Sequence, residues 1–259
     1  MAPTPLNYRT FGEGTPFVIL HGLYGAGSNF NGVARRLSAS FRVYTPDLRN
    51  HGGSGHRDSM DYREMAHDIE HFLDMNCLER VIMLGHSMGG KIAMTFAHDY
   101  PERLDDLIIV DVAPIEYDLG HYDLQDKLAS VDIRQFDCRR DVDRYFASLI
   151  PEDGVRRFLL KNLVVDSRQG NRWRTNMDVI SRDLYKILAP PPVEPDWTYQ
   201  DRALFVYGEE SPYFVEEMQQ AVVDMFPEAT FTGIEGVGHW VHMDEDLFVE
   251  VLMQYLETA

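Results

Sequence analysis

The sequence contains little cysteine and little positive charge, and each shortage excludes a class of protein. Two cysteines, Cys77 and Cys138, occur in 259 residues, far apart and without the spacing of a zinc site. A disulfide framework is therefore excluded, and a reducing compartment is the expected location. The formal net charge of −18 would repel a phosphate backbone, so we expect no nucleic-acid partner.

Long hydrophobic runs are missing as well. No apolar segment approaches the roughly 18 residues that a membrane-spanning helix needs. The first residues, MAPTPLNYRTFGEG, lack the basic start and apolar run of a signal peptide. We therefore expect a cytoplasmic protein without a membrane span. With 44% hydrophobic and 25% charged residues, the chain has the composition of a globular protein with one large core.

Short apolar segments alternate with amphipathic ones along most of the chain, which predicts an α/β fold. The expected strands are 17–20, 41–47, 81–84, 107–112, 203–207 and 229–234. The expected helices between and after them are 61–77, 91–100, 214–226 and 246–256. This alternation is typical of βαβ units, so we expect a mostly parallel central sheet flanked by helices.

One long interval interrupts the alternation and predicts an insertion. Between Pro114 and Trp197 no apolar strand stands out, whereas helical patterns occur around 124–130, 141–149, 154–163 and 177–188. Open α/β sheets bind ligands at the carboxyl ends of their strands, so a helical cap there would wall a binding site. We therefore divide the chain into a core, 1–113 and 198–259, and a cap, 114–197.

A candidate nucleophile lies in the motif Gly85-His86-Ser87-Met88-Gly89. The motif falls between a predicted strand and a predicted helix, where G-x-S-x-G forms a sharp turn that exposes the serine hydroxyl. The N–H after the nucleophile, on Met88, is the expected first donor of an oxyanion hole. The second is expected from the glycine-rich loop HGLYGAGSNF, where Leu23 N–H is the candidate.

The candidate general base is His239, chosen from ten histidines. It follows the last predicted strand and precedes the last helix, in a loop that Gly236 and Gly238 make flexible. His242 is a rival, but it lies closer to the start of the last helix. His86 lies within the nucleophile turn, which sets its direction and prevents it from reaching Ser87.

The carboxylate that should orient the base is harder to place. In folds where the chain order is serine, acid, histidine, the acid usually follows the strand before the last one, here 203–207. Ser211 occupies the expected position, and Glu210 lies one residue early. Asp111 ends a buried strand beside the nucleophile strand, and a carboxylate there needs a partner. We favour Asp111 as the acid with Glu210 as the alternative, and we expect Ser211 to donate to Asp111 or to His239.

A further motif, His67-Asp68-Ile69-Glu70-His71, matches the H-x-x-E-H pattern of some zinc proteases. Its helix face also carries Glu64 and Asp74, opposite the apolar stripe, and no third ligand is evident. An exposed helix is the favoured interpretation, so we expect neither a metal nor a cofactor.

Together the motifs make the chain resemble the α/β-hydrolase superfamily, and within it the YbfF-type esterases. The resemblance rests on PDLRNHGGSG, GHSMGGK, IVDVAP, FLLKNL, SPYF and GHWVH, which span nearly the whole chain including the cap. It implies a serine carboxylesterase for short acyl esters or thioesters, with Asp111 as the acid, a functional Ser211 and an apolar cap interior. The residues expected to bind substrate are Tyr24, Phe158, Leu159, Trp173, Tyr213 and Trp240.

Two other functions fit parts of the pattern. A carbon–carbon bond hydrolase or a cofactor-free perhydrolase would use the same three groups as an esterase. A ligand receptor on a hydrolase scaffold is a non-catalytic alternative, but a pure receptor has no need for all three groups. A nucleophilic aspartate, as in dehalogenase chemistry, is disfavoured because the turn carries Ser87.

Overall fold

A computed structural model describes residues 2–166 and 168–258. The strands within these residues are β1 Tyr8–Phe11, β2 Thr15–Leu20, β3 Phe41–Pro46, β4 Val81–His86, β5 Leu104–Val110, β6 Leu163–Val164, β7 Arg172–Trp173, β8 Ala203–Gly208 and β9 Ala229–Ile234. One sheet has the order β1-β3-β2-β4-β5-β8-β9, and β6 pairs with β7 in a separate antiparallel ribbon. In the main sheet only the edge pair of β1 and β3 is antiparallel within the described residues.

Helices cover both faces of this sheet. In the described residues they are α1 Asn31–Leu37, α2 Tyr62–Met75, α3 Met88–Asp99, α4 His121–Ala129, α5 Arg139–Phe146, α6 Asp153–Leu160, α7 Met177–Leu188, α8 Gln219–Met225 and α9 Glu245–Glu257. The predicted mostly parallel sheet flanked by helices is therefore confirmed. No helix in the described part of the chain combines the length and hydropathy needed to cross a bilayer.

Alternate residues of each strand supply two apolar layers. In β2, Val18 and Leu20 pack with side chains of α2 and α3, whereas Phe17 and Ile19 pack with α1 and α9. This alternation follows from the two-residue period of a strand. Burying one such side chain stabilises the fold by about 1.5–3 kcal/mol, so the sheet is a rigid platform for the loops at its carboxyl edge.

The chain between β5 and β8 contains α4 to α7 and the β6–β7 ribbon, and its buried side chains join the cluster that covers α2 and α3. The helical content agrees with the sequence pattern. The ribbon was not expected, because two residues per strand are too few to give a periodic signal. The division of core from cap at 113/114 and 197/198 stays a prediction.

Candidate active site

Ser87 lies at the turn between β4 and α3, with φ 54° and ψ −119°, which is strained for a residue with a side chain. A Cβ on Gly85 would lie 2.2 Å from the Gly89 carbonyl oxygen. A Cβ on Gly89 would lie 2.4 Å from the Leu20 carbonyl oxygen, so both positions need glycine. Ser87 is partly exposed while both of its neighbours are buried. The turn therefore lifts one hydroxyl out of the core, as the motif predicts.

Asp111 follows β5 and contacts the imidazole of His239. Its Oδ2 accepts hydrogen bonds from His239 Nδ1 at 2.6 Å and from Ser211 Oγ at 2.5 Å. Its Oδ1 accepts from the Gly208 N–H at 3.0 Å, and the side chain is 1% exposed overall. Three donors offset the desolvation of this charge. The bond to Nδ1 leaves Nε2 of His239 as the nitrogen that can accept a proton.

The alternative acid, Glu210, points elsewhere. It is exposed, as is Glu209, and its N–H donates to the carbonyl oxygen of Val237 at 3.0 Å. Its neighbour Ser211 is 3% exposed and turns its hydroxyl toward Asp111. Of the two partners expected for Ser211, the hydroxyl therefore bonds Asp111 and not His239, so the carboxylate after β5 is held by a donor that follows β8.

The rival histidines lie in apolar surroundings near His239. Burial lowers the pKa of His242 to about 3, and its Nδ1 has no hydrogen-bond partner among the described residues. His86 is buried, which holds its pKa well below the usual value, and its Nε2 donates to the backbone oxygen of His239 at 2.9 Å. His86 thus supports the loop of His239, whose ring also stacks on Tyr213 with centroids 3.8 Å apart.

Two backbone donors flank the nucleophile. Leu23 lies in the four-residue turn from Gly22 to Gly25, which a 2.9 Å bond between its ends closes. Met88 is the first residue of α3, where N–H groups have no partner within the helix. In the described part of the chain, neither N–H donates to a protein acceptor. Both are therefore available to a developing negative charge.

Ser87 and His239 line one cavity of about 650 Å³. Five of the residues expected to bind substrate also line it: Tyr24, Phe158, Leu159, Tyr213 and Trp240. Apolar walls come from both the sheet edge and the insertion, while Asp123, Lys127 and Glu152 add charge. A cavity of this kind encloses a small organic ligand and presents its reactive atom to a few polar groups.

Trp173, the remaining expected residue, does not line this cavity. It lies in β7, pairs with Leu163 and packs on the Phe146 ring with centroids 6.2 Å apart. Its large apolar side chain stabilises the insertion from within. The sequence pattern marks Trp173 and Leu159 alike, because hydrophobicity does not distinguish a cavity wall from a buried core.

Several residues near the cavity had no assigned role from sequence. His121 lines it at the start of α4, a helix that was expected to begin three residues later. Lys91, one turn after Ser87, is buried and donates to the backbone oxygens of Ile115, Leu188 and Ala189 at 2.6–3.0 Å. Burial lowers the pKa of Lys91 to about 7. Lys91 belongs to the GHSMGGK motif, but the motif alone does not predict which backbone oxygens the lysine contacts.

In the zinc-protease-like motif on α2, one residue forms a buried ion pair. Asp68, its second residue, is 1% exposed and pairs with Arg49 Nε at 2.6 Å, and it also accepts the Thr4 N–H. Asp68 is therefore buried rather than solvated, which differs from the expectation of an exposed face. Among the described residues no group of three or more potential ligands could hold a metal ion.

Comparison with known proteins identifies the family of the chain. A family model described as the alpha/beta hydrolase fold matches residues 15–246. The chain therefore belongs to the α/β-hydrolase family, and it is a hydrolase of the esterase and lipase kind.

Its relatives place it more narrowly. The sn-1-specific diacylglycerol lipase ABHD11 of Xenopus laevis is 36% identical over 95% of this chain and 81% of its own length. Esterase YbfF of Escherichia coli (strain K12) is 32% identical over 93% of each chain. A solved marine microorganism esterase superposes with a TM-score of 0.93 at 35% identity, covering 97% of this chain and 99% of its own. The resemblance to YbfF-type esterases is thus confirmed.

Proposed function

We propose that this protein is a serine carboxylesterase that hydrolyses short-chain acyl esters, and thioesters by the same chemistry. The observation that carries the proposal is the bond from His239 to Asp111, beside Ser87 at the wall of one cavity. Relatives named as esterases and a lipase support the same reaction class. A cavity of about 650 Å³ favours a small ester over one with long chains at both ends.

In the proposed reaction, Ser87 Oγ attacks the acyl carbonyl carbon while His239 Nε2 takes the hydroxyl proton. The carbonyl π electrons move onto oxygen, which accepts hydrogen bonds from the N–H groups of Leu23 and Met88. One such donor contributes about 10²- to 10³-fold to the rate. The ester C–O bond then breaks, and the alcohol leaves with the proton held by His239.

The second half of the reaction regenerates Ser87. Water attacks the acyl-enzyme carbonyl, and His239 takes one water proton as the new C–O bond forms. The bond to Ser87 Oγ then breaks, Ser87 recovers a proton from His239, and the carboxylic acid is released. Asp111 keeps its negative charge throughout and stabilises the transient imidazolium. No cofactor takes part in this scheme.

We take the helices between β5 and β8 to be a cap over the cavity. Leu124, Ile150 and Phe158 all come from this segment and line the cavity beside Ser87. Their apolar side chains exclude water from one side of the reacting carbonyl, which strengthens every polar contact there. The carbon–carbon hydrolase and perhydrolase alternatives use the same three groups, and among the described residues that line the cavity no contact favours them.

The test uses the purified full-length chain with p-nitrophenyl acetate, butyrate and octanoate, together with matched thioesters. We expect Ser87→Ala to reduce kcat by at least about 10³-fold, because the nucleophile is lost while the fold remains. Ser181→Ala, an exposed serine on α7, is the control and should retain the wild-type rate. Full activity of Ser87→Ala would exclude the proposed mechanism, and ligand binding without turnover by the wild type would favour a receptor.

A further inference from the structure

Tyr24, which follows the candidate oxyanion donor Leu23, has all three of its polar groups engaged. Its N–H donates to His51 Nε2 at 3.1 Å. Its carbonyl oxygen accepts from Asn162 Nδ2 at 2.5 Å, and its hydroxyl donates to Gln125 Oε1 at 2.5 Å. The backbone on either side of Tyr24 is therefore held by side chains from distant parts of the sequence.

These partners come from opposite sides of the cavity. His51 belongs to the loop after β3, in the body that contains the sheet, whereas Asn162 lies between α6 and β6 and Gln125 lies in α4. Asn162 is 5% exposed and Gln125 2%, so neither can exchange its bond to Tyr24 freely for one to water. The insertion thus holds the carbonyl and the hydroxyl of Tyr24, and the sheet side holds its N–H.

His51 is suited to accept the Tyr24 N–H because it is neutral. Its Nδ1 donates to the Arg49 carbonyl oxygen at 2.9 Å, which leaves Nε2 as an acceptor. Burial, the largest cause, lowers the pKa of His51 to about 3. At neutral pH His51 therefore stays an acceptor for the Tyr24 N–H, while Asn162 holds the Tyr24 carbonyl oxygen from the insertion.

The turn that Tyr24 occupies is strained. Residues Gly22 to Gly25 form a turn whose third residue, Tyr24, has φ 58°, a value that usually requires glycine. In this left-handed region the Cβ of a side chain lies too close to the following carbonyl oxygen, which raises the energy of the turn. Such a conformation persists only when surrounding contacts over-determine it. The Asn162 amide is one of those contacts, and Leu23 is the residue directly before Tyr24 in the turn.

We propose that Asn162 is a positioning residue for the reaction, because its amide holds the turn that presents the Leu23 N–H to the substrate oxyanion. The inference rests on the proposed esterase function and adds to it a link between the insertion and the oxyanion donor. While Asn162 is bonded to the Tyr24 carbonyl oxygen, the turn is held and the donor is aligned; loss of that bond would let the strained turn relax and move the donor. Docking of the insertion thereby completes the catalytic site.

The test replaces Asn162 by aspartate, which keeps the shape but has no N–H to donate. We expect kcat to fall about 10- to 100-fold, part of the value of one oxyanion donor, while KM changes less than about threefold. Affinity for a trifluoromethyl ketone analogue, whose adduct carries the oxyanion, should fall by the same factor as kcat/KM. Asn162→Ala, which removes the donor without adding a charge, should show the same split if the aspartate variant folds poorly.

Asn171 provides a matched control within the same insertion. It is 6% exposed, and its Nδ2 donates to the backbone oxygens of Ile133 and Phe136 at 3.1 and 2.6 Å. None of its hydrogen bonds reaches the turn at Tyr24. Asn171→Asp should therefore lower the melting temperature as much as the Asn162 variant does, yet keep kcat within about twofold of wild type.

Each outcome decides the inference. Equal losses of kcat in both aspartate variants would mean that Asn162 acts only through stability, and a rise in KM alone would assign it to substrate binding. Wild-type kinetics in Asn162→Asp, beside an active wild-type enzyme, would overturn this inference alone. No turnover by the wild type on any ester would instead overturn the proposed function, and this inference with it.

Discussion

Two neighbouring strands end at the same edge of the sheet and make different contributions there. β5 ends next to Asp111, a single carboxylate that is buried and contacts His239. β8 is followed by Glu209 and Glu210, two carboxylates that face solvent, and then by Ser211. From this end the Gly208 N–H and the Ser211 hydroxyl both donate to Asp111. One strand end therefore supplies the charge, and the other supplies the donors that hold it.

The difference shows that the backbone path, and not the number of acidic residues, decides which carboxylate contacts His239. The N–H of Gly208 and the hydroxyl of Ser211 are both directed at the adjacent strand, so a carboxylate at that point finds donors already in place. Glu210 instead has its N–H bonded to Val237 and its side chain in water. A buried carboxylate needs such donors to remain charged, whereas an exposed one does not.

The largest expected effect separates the two carboxylates. Asp111→Asn removes the charge that stabilises the His239 imidazolium and favours the wrong tautomer. We therefore expect kcat on p-nitrophenyl butyrate to fall about 10³- to 10⁴-fold, the scale known for the acid of a serine triad. Glu210→Gln should retain wild-type kcat. Wild-type activity in Asp111→Asn together with an inactive Glu210→Gln would instead assign the role of the acid to Glu210, after β8.

A smaller effect should follow from the hydroxyl on the second strand end. Ser211→Ala leaves Asp111 Oδ2 with a single donor, and a hydrogen bond to a charged group is worth about 1.5–3 kcal/mol. We expect kcat/KM to fall roughly 10-fold, because the carboxylate still contacts His239 but is less firmly oriented. Steady-state kinetics against the Ser181→Ala control would measure this. Unchanged kinetics would show that Ser211 has no part in orienting the acid.

The smallest effect concerns His242, which lies three residues after His239 and contacts neither strand end. Its ring packs on Phe30 and His86, and burial lowers its pKa to about 3. In the unfolded chain the imidazole of His242 binds a proton near pH 6.5, but in the folded chain it stays neutral down to about pH 3. The free energy of unfolding therefore falls as the pH drops from about 6.5 toward 3. Above pH 7 this group contributes nothing to the pH dependence.

His242→Leu should make the free energy of unfolding depend less on pH in the range below about 6.5. The variant lacks one such group, so its slope between pH 6 and 4 should be shallower by up to about 1.4 kcal/mol per pH unit. Urea unfolding at pH 7, 6, 5 and 4 measures both slopes. Parallel slopes for the two proteins would show that His242 is protonated equally in the folded and unfolded states.

The residues of the sheet edge could be predicted because each leaves a local signal, although Glu210 stayed open as a second candidate for the acid. The strained turn at Ser87 needs flanking glycines, and Asp111 is a charge that follows four apolar residues, so both stand out in a single sequence. The mostly parallel direction of the strands follows from alternating apolar and amphipathic segments. Edge strand β1 did not stand out, because three of its four residues are exposed and give no apolar run.

The residues of the insertion could not be predicted in the same way. Trp173 and Leu159 are both apolar, but only the docking of the helices places Leu159 at the cavity and Trp173 inside the insertion. Asn162 and Gln125 have no local signal either, since their partner Tyr24 lies more than 100 residues away along the chain. Contacts of this kind depend on tertiary packing, which sequence periodicity does not encode.

Covalent labelling tests the central claim most directly, since it reports the nucleophile and its acid together. The rate at which a fluorophosphonate modifies Ser87 would be followed by intact mass, with the labelled peptide identified after digestion, for wild type, Asp111→Asn and Glu210→Gln. We expect wild type and Glu210→Gln to be labelled at Ser87 at equal rates, and Asp111→Asn to react at least about 100-fold more slowly. Slow labelling of Glu210→Gln with an unaffected Asp111→Asn, or a label on another residue, would contradict the account.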